Sequence, residues 1–104
     1  MTDAMNIGAA GLRAAEARVN VRAQNIVNWL SEDYRPIEAE QTTDASGAPR
    51  VRVSRPPELQ GEYPFVDLAS ELVDMKMGQR AYEASAKVIR TADEMSKTLL
   101  DAIA

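Results

Sequence analysis

Residues 66–103 read VDLASELVDMKMGQRAYEASAKVIRTADEMSKTLLDAI, with no proline among them. Asp67 is placed to cap a helix, because its carboxylate can accept from the free amides of the first turn. Side chains at alternating spacings of four and three residues then favour a helix that packs on another helix. This stripe consists of Leu68, Leu72, Met75, Gln79, Tyr82, Ala86 and Ile89. The segment predicts one helix about 54 Å long at 1.5 Å per residue.

Toward the C-terminal end of this helix, the apolar residues shift to a neighbouring position on the helix surface. Val88, Ala92, Met95 and Leu99 continue the alternation one residue round, and Leu100 and Ile103 widen the face. Gly78 interrupts the pattern and marks either a bend or a tolerated substitution. The methionines of both helical segments are interpreted as core or interface residues and not as cofactor ligands.

Residues 3–30 also lack proline and predict a first helix with two different stripes. Met5, Leu12, Val19 and Ile26 recur every seven residues, which is the spacing of a coiled coil. Ala4, Gly8, Gly11 and Ala15 form a second stripe of small residues that lets a neighbouring backbone approach closely. Two interpretations stay open for this start: a frayed N-terminal turn, or a segment that orders only when partner helices pack on it.

Residues 34–64 contain all five prolines and join the two helices. Residues 37–41 and 50–53 alternate with a period of two, and the turn signal Asp44-Ala45-Ser46-Gly47 between them predicts a short β-hairpin. The arginine cluster Arg50, Arg52 and Arg55 fits a solvated hairpin face opposite glutamates better than an anion site. Residues 56–57 and 61–64 are expected to end the strand and lead into the second helix.

The predicted fold is therefore mainly α, with an N-terminal helix and a long C-terminal helix in an antiparallel coiled-coil-like pair. We expect residues 1–34 and 65–104 to form one helical domain, and residues 35–64 to form a β-hairpin and proline-rich connector. The 17 alanines leave few large apolar residues for an internal core. A chain of 104 residues cannot bury two such helices by itself, so the surplus apolar surface indicates assembly.

The composition excludes several classes of function. The chain has no histidine and no cysteine, which removes zinc sites of the Cys/His type, thiolate nucleophiles and imidazole bases. A small carboxylate enzyme that uses Asp93 and Glu94 is the weakest alternative, and no metal or cofactor is expected. Ser85 and Lys87 lie two residues apart, so they do not face each other on a helix.

The charge and hydropathy pattern argues against nucleic acids and membranes as partners. The net charge of −4 argues against nucleic-acid binding, which needs a basic surface. No apolar run approaches the roughly 20 residues of a membrane span. The N-terminus lacks the basic start and apolar stretch of a secretory signal, so export would use another route.

Asn25 and Asn28 lie one helical turn apart near the end of the first helix. Their amides can bond free helix carbonyls or a neighbouring chain, and ordinary polar surface residues are the plain alternative. The run Asn25-Ile26-Val27-Asn28, followed by the aromatic-basic pair Tyr34-Arg35, resembles the signature of the bacterial flagellar rod and hook proteins, the axial subunits of the basal body. Asp33 stands where that family usually has glycine, which affects the expected loop conformation.

The C-terminal segment resembles the same family more closely. Residues 66–75 lead into Gln79-Arg80-Ala81-Tyr82, and Thr91-Ala92-Asp93-Glu94-Met95 follows. This run is similar to the C-terminal helix that rod, hook and distal-rod subunits share. Because the middle segment is short, the chain is most similar to a short proximal rod protein. The two matches cover about 70 of the 104 residues.

The resemblance implies a structural subunit that assembles helically through its terminal helices and transmits torque. It implies contacts with copies of the chain and other rod subunits, and export through the flagellar apparatus to the periplasm-spanning rod without a cleaved signal peptide. The alternative is a non-polymerising helical adaptor or regulatory paralogue. Tyr82 either lies at a subunit junction or packs on the first helix of its own chain. Candidate interface residues are Leu12, Val19, Asn25, Ile26, Asn28, Leu72, Met75, Gln79, Arg80, Tyr82, Ile89, Met95 and Leu99.

Overall fold

The computed structural model describes residues 2–31, 34–55 and 67–103. In chain order the elements are helix α1 (Thr2–Val27), strand β1 (Glu38–Thr43), strand β2 (Pro49–Ser54) and helix α2 (Leu68–Ile103). The two helices pack together and the strands form an antiparallel hairpin, so the predicted fold class is confirmed. The molecule measures 67 × 25 × 14 Å. The expectations for Asp33 and for the linker at residues 56–66 lie outside the described residues.

Local hydrogen bonds cap the N-terminal end of α2 and the C-terminal end of α1, the two helix ends that the connector joins. Asp67 is the predicted N-cap of α2, and its Oδ1 accepts from the backbone amide of Ser70 at 3.2 Å. Helix α1 ends at Val27, three residues before the predicted end at residue 30. The Gln24 carbonyl accepts two hydrogen bonds from Asn28, one from its backbone amide at 3.1 Å and one from its side-chain amide at 2.9 Å, and this local pairing ends the helix.

The helices run antiparallel and touch along small residues. An added Cβ at Gly8 would lie 2.7 Å from Ile89 Cγ1, and one at Gly78 would lie 2.9 Å from Val19 Cγ2. On α2 the contact follows Glu71, Gly78, Ser85 and Ala92, at spacings of seven residues. The small-residue stripe of α1 is therefore packed on α2 of its own chain. A frayed first turn and a segment that orders only when partner helices pack on it both stay predictions for the free chain.

The predicted stripe of α2 is only partly in the contact: Ile89 lies against Gly8, whereas other members of the stripe are exposed. Leu72 and Tyr82 remain 44% and 45% exposed, and Gln79 is also exposed. The difference has a steric reason, since close approach of two backbones selects glycine, serine and alanine and moves larger side chains to the flanks. Gly78 does not end the helix, which continues through it to Ile103, and it provides the space for Val19.

The hairpin packs on α1, and within the described elements it does not contact α2. Ala48 is buried, while Ala39, Pro49 and Val51 are half-buried. The register places Glu40 opposite Arg52, as the charge pattern predicts, whereas Arg50 lies opposite Thr42 and pairs with Asp44 instead. Among the helices of the described chain, none is long and apolar enough to cross a membrane.

The hairpin turn depends on Asp44. Its Oδ1 accepts from the amides of Ser46 and Ala48 at 2.9 and 3.0 Å, and its Oδ2 accepts from Arg50 Nε at 3.1 Å. Gly47 follows with φ of 86°, a left-handed conformation that glycine adopts without a steric penalty. Hydrogen bonds to the Ser46 hydroxyl, the Ala48 and Ser46 amides and Arg50 lower the pKa of Asp44 from 3.8 to about 2.

We predict that enlarging Gly78 separates the helices. Gly78→Leu should lower the free energy of unfolding by about 2 kcal/mol, because the new side chain must displace Val19 and the α1 backbone. Ala69→Leu is the matched control, since Ala69 lies exposed on the same helix. Thermal unfolding followed by circular dichroism measures both variants. Equal melting temperatures for the two would contradict the close approach at Gly78.

We also predict that the turn resists acid until Asp44 is protonated. Because the pKa of Asp44 is lower in the folded chain, its contribution to stability is complete above about pH 4 and is lost as the pH falls toward 2. The amide shifts of Ser46 and Ala48, followed by NMR, should titrate with a midpoint near pH 2. Asp44→Asn should remove that transition, and a midpoint near the ordinary value of 3.8 would contradict the prediction.

Candidate assembly interface

A buried polar network joins the end of α1, the connector and the start of α2. Asn25 is 0% exposed, and all of its amide capacity is used. Its Nδ2 donates to the Ile37 carbonyl at 2.8 Å and to Glu71 Oε1 at 3.0 Å. Its Oδ1 accepts from the Tyr34 hydroxyl at 2.7 Å and from the Ile37 amide at 2.9 Å. One side chain therefore ties three segments of the chain together.

Arg22 extends the network by one helical turn. It lies 3.2 Å from Glu71 Oε2 and 3.4 Å from Asp74 Oδ2, so one guanidinium bridges two carboxylates of α2. Glu71 is 7% exposed, and a carboxylate buried to that degree needs the partners that Arg22 and Asn25 supply. At the edge of the same region, the Arg55 guanidinium lies over the Tyr34 ring, 5.6 Å from its centroid.

The network changes the interpretation of the two asparagines. Asn25 is enclosed by its own chain, so in this structure it offers no surface to a neighbour, and its bonds support a role in folding. Asn28 bonds locally at the end of the helix: its side-chain amide donates to the Gln24 carbonyl, which also accepts from the Asn28 backbone amide, and the Ser31 hydroxyl donates to its Oδ1. Sequence reasoning missed Glu71 and Arg22. The available signal was an acidic residue in the first turn of a long helix, on the side where small residues predict a close neighbour.

The other interface candidates divide by exposure. Six are half-buried, and of these Val19 and Ile89 lie against glycines of the opposite helix: Leu12, Val19, Ile26, Asn28, Met75 and Ile89. Those that remain exposed all lie on α2: Leu72, Gln79, Arg80, Tyr82, Met95 and Leu99. Tyr82 is 45% exposed, so both of its expected roles remain open. The exposed group offers the larger surface to another subunit without a change of conformation.

Apolar exposure exceeds apolar burial in the described part of the chain. The buried hydrophobic residues are small apart from one valine: Ala14, Ala15, Val21, Ala48 and Ala92. Fifteen large hydrophobic residues are exposed, and nine of them lie on α2: Leu72, Val73, Met77, Tyr82, Val88, Met95, Leu99, Leu100 and Ile103. Val73 and Met77 were not among the predicted interface residues. Isolated exposed apolar residues are ordinary, but a row along one helix is typical of an interaction surface.

The C-terminal end of α2 extends beyond the start of α1. Gly8 lies beside Ile89, so antiparallel pairing places the first residues of α1 near residue 95. Beyond that point, Leu99, Leu100 and Ile103 are 56%, 66% and 74% exposed. These three side chains therefore lie beyond the α1 residues that the structure describes.

A groove of about 750 Å³ lies between α1 and the hairpin. Its walls include alanines of α1 together with Pro49 and Val51, and Asp3, Arg13, Asp44 and Arg50 provide charges of both signs. Within the described residues, no group of three or more acidic side chains is arranged to hold a metal ion. The arrangement offers shape and apolar contact, which suit association with another protein surface.

We predict that Asn25 is the most sensitive polar position in the fold. Asn25→Ala should lower the free energy of unfolding by about 2–4 kcal/mol, because it leaves Glu71 and the Ile37 backbone without buried partners. Asn28→Ala, the matched control at the end of the same helix, should change it by less than about 1 kcal/mol. Urea unfolding at neutral pH measures both variants, and similar losses would contradict the role assigned to Asn25.

Comparison with known proteins assigns this architecture to a family. A family model described as "Flagellar basal body rod FlgEFG protein C-terminal" matches residues 62–102, which contain nearly all of α2. The flagellar basal-body rod protein FlgG of Agrobacterium fabrum is 45% identical over 62 residues, which cover 52% of this chain and 23% of that protein. The protein of the same name from Buchnera aphidicola subsp. Schizaphis graminum is 31% identical over 112 residues, covering 91% and 42%.

The chain spans less than half of the length of these relatives. The matched family consists of structural rod proteins, in agreement with the prediction of a non-enzymatic chain. These matches confirm the resemblance read from both helices: this chain belongs to the flagellar basal-body rod FlgEFG family.

Proposed function

We propose that this chain is a structural subunit of the flagellar basal-body rod, which assembles through its helices with copies of itself and with other rod subunits. The observation that supports this most directly is the surplus of large exposed hydrophobic residues over a core built mostly of alanine. Burying one large apolar side chain contributes about 1.5–3 kcal/mol. Subunit contacts that cover several of these residues would therefore stabilise the assembly.

In this proposal the helical residues 1–34 and 65–104 form the inner part of the rod, and residues 35–64 point outward. The hairpin packs only on α1 among the described elements, which leaves the side of α2 away from α1 accessible to neighbours. A contact between two different surfaces that does not close on itself generates a helical array. Torque then passes through many packed helices without a chemical step.

The proposed location is the rod that spans the periplasm, and the proposed route is export through the flagellar apparatus without a cleaved signal peptide. A chain that buries few large side chains suits this route. Little internal packing has to be undone before such a chain can pass through the export apparatus in an extended form. The export machinery is accordingly a second proposed partner. Nucleic acids and direct membrane insertion have no place in this proposal.

We predict that charge on the exposed side of α2 blocks assembly without unfolding the chain. Leu72→Lys and Leu99→Lys change residues that are 44% and 56% exposed, so each variant should keep the wild-type melting temperature. Each should be at least tenfold less abundant in purified basal bodies, because a buried unpaired ammonium opposes the contact. Glu83→Lys, an exposed polar position of the same helix, is the control and should leave incorporation unchanged.

The same fractionation separates a rod subunit from an adaptor. A rod subunit remains in basal bodies after detergent and salt extraction, and its deletion leaves rods incomplete and cells non-motile. A non-polymerising adaptor would be absent from these particles, and its deletion would leave complete rods. The second result would overturn the proposal.

A further inference from the structure

The surface of α2 next to its contact with α1 carries a second, uncovered pattern. We define the outer α2 face as the residues that alternate by four and three along this surface: Met77, Ala81, Ala84, Val88, Thr91, Met95, Thr98 and Ala102. All are exposed except Ala81, which is half-buried. This spacing is the seam of a two-stranded coiled coil. It lies beside the line of Gly78, Ser85 and Ala92 that packs on α1.

A row of charged side chains borders the outer α2 face on the side away from α1. Arg80, Lys87, Glu94 and Asp101 recur every seven residues, and each immediately precedes a residue of the seam. All four are exposed. The sign changes once along the row, since the first two are basic and the last two are acidic. Such edge charges select the partner and the orientation of a coiled coil.

From this pattern we infer that the outer α2 face binds the same face of a second copy of this chain, in an antiparallel two-fold dimer. When two such helices run antiparallel, the charged row of one lies along the charged row of the other. Arg80 then faces Asp101 of the second copy, and Lys87 faces Glu94 of the second copy. Two-fold symmetry repeats both pairs, so each of the four charges in both rows meets an opposite charge.

The apolar residues fit in the same register. Met77 lies opposite Ala102 of the second copy, and Ala84 lies opposite Met95 of the second copy. Val88 meets Thr91 of the second copy, and Ala81 meets Thr98. Each methionine therefore faces an alanine, and the similarly sized Val88 and Thr91 face each other, so the seam is filled without overlap.

Other arrangements lose this match. A shift of one heptad in either direction brings Lys87 opposite Lys87 of the second copy or Glu94 opposite Glu94. A parallel pair would place the charged row against the edge formed by Gly78, Ser85 and Ala92, which is uncharged and already covered by α1. Opposite and like charges together thus specify one orientation and one register.

The first experiment tests the charge pairs on the full chain. Sedimentation at low salt should give a mass of about 23 kDa, twice the 11.4 kDa of the chain. Arg80→Glu with Lys87→Glu makes the row entirely acidic, and Glu94→Lys with Asp101→Lys makes it entirely basic. Each double variant should raise the dimer dissociation constant tenfold or more, and an equal mixture of the two should restore a dimer of wild-type affinity. Circular dichroism checks that both remain helical.

The second experiment tests orientation, and it uses the absence of cysteine from the chain. Ala81→Cys and Thr98→Cys should form a disulfide when the two variants are mixed. Neither should cross-link to itself, because these positions lie about 25 Å apart along the helix. Cross-linking of Ala81→Cys with itself would indicate a parallel pair and overturn the inference. A monomer at millimolar concentration, open-ended polymers in place of a dimer, or charge variants that associate like the wild type would each overturn it as well.

This dimer goes beyond the proposed function, and its tests need no flagellum. Loss of the dimer would leave a role in the rod untouched, whereas absence of the chain from basal bodies would leave the dimer untouched. The two inferences therefore fail separately.

Discussion

The fold depends on one buried amide. Asn25 accepts and donates two hydrogen bonds each, and these bonds hold the end of α1, the connector at Tyr34 and Ile37, and the start of α2 in one place. Glu71 remains buried only because Asn25 and Arg22 surround it. A polar centre of this kind permits few alternative alignments, since a shift of either helix would leave a carboxylate and an amide without partners. It therefore sets the register of the helix pair.

Beyond the network around Asn25, the two helices stay close together because small residues line their contact. Gly78 receives Val19, and Ser85 and Ile89 lie against the two glycines of α1. Close approach has a direct consequence for the surface. Beyond Glu71 at its polar end, the contact line of α2 consists of Gly78, Ser85 and Ala92, and the exposed leucines, methionines and valines of α2 lie off this line. The same packing that gives the free chain a modest core leaves an extended apolar surface for association.

The sequence predicts the local elements well and their mutual rotation poorly. Proline-free segments, the Asp67 cap and the turn at Asp44 depend on neighbours in the chain, and each is found as expected. The stripe of Leu72, Gln79 and Tyr82 was displaced from the true contact because periodicity weights large residues, whereas this contact selects small ones. The partnership of Asn25 with Glu71 spans 46 residues, and only the folded arrangement brings the two together. The resemblance to the rod family was recognised from specific residues at specific positions, because the spacing of apolar residues predicts helices but does not distinguish one helical family from another.

The antiparallel dimer and the rod place opposite demands on α2. A tube that grows from one end needs every subunit in the same orientation, and a two-fold contact reverses one copy relative to the other. The outer α2 face cannot satisfy both at once, so a subunit in the closed dimer is withheld from the growing tube. Because the dimer requires two free chains, its population falls as free chain is consumed or diluted. A closed dimer that covers the apolar residues of α2 would limit polymerisation away from the rod. The exposed ion pairs that align the two copies are weak, so the dimer can dissociate and release free chain.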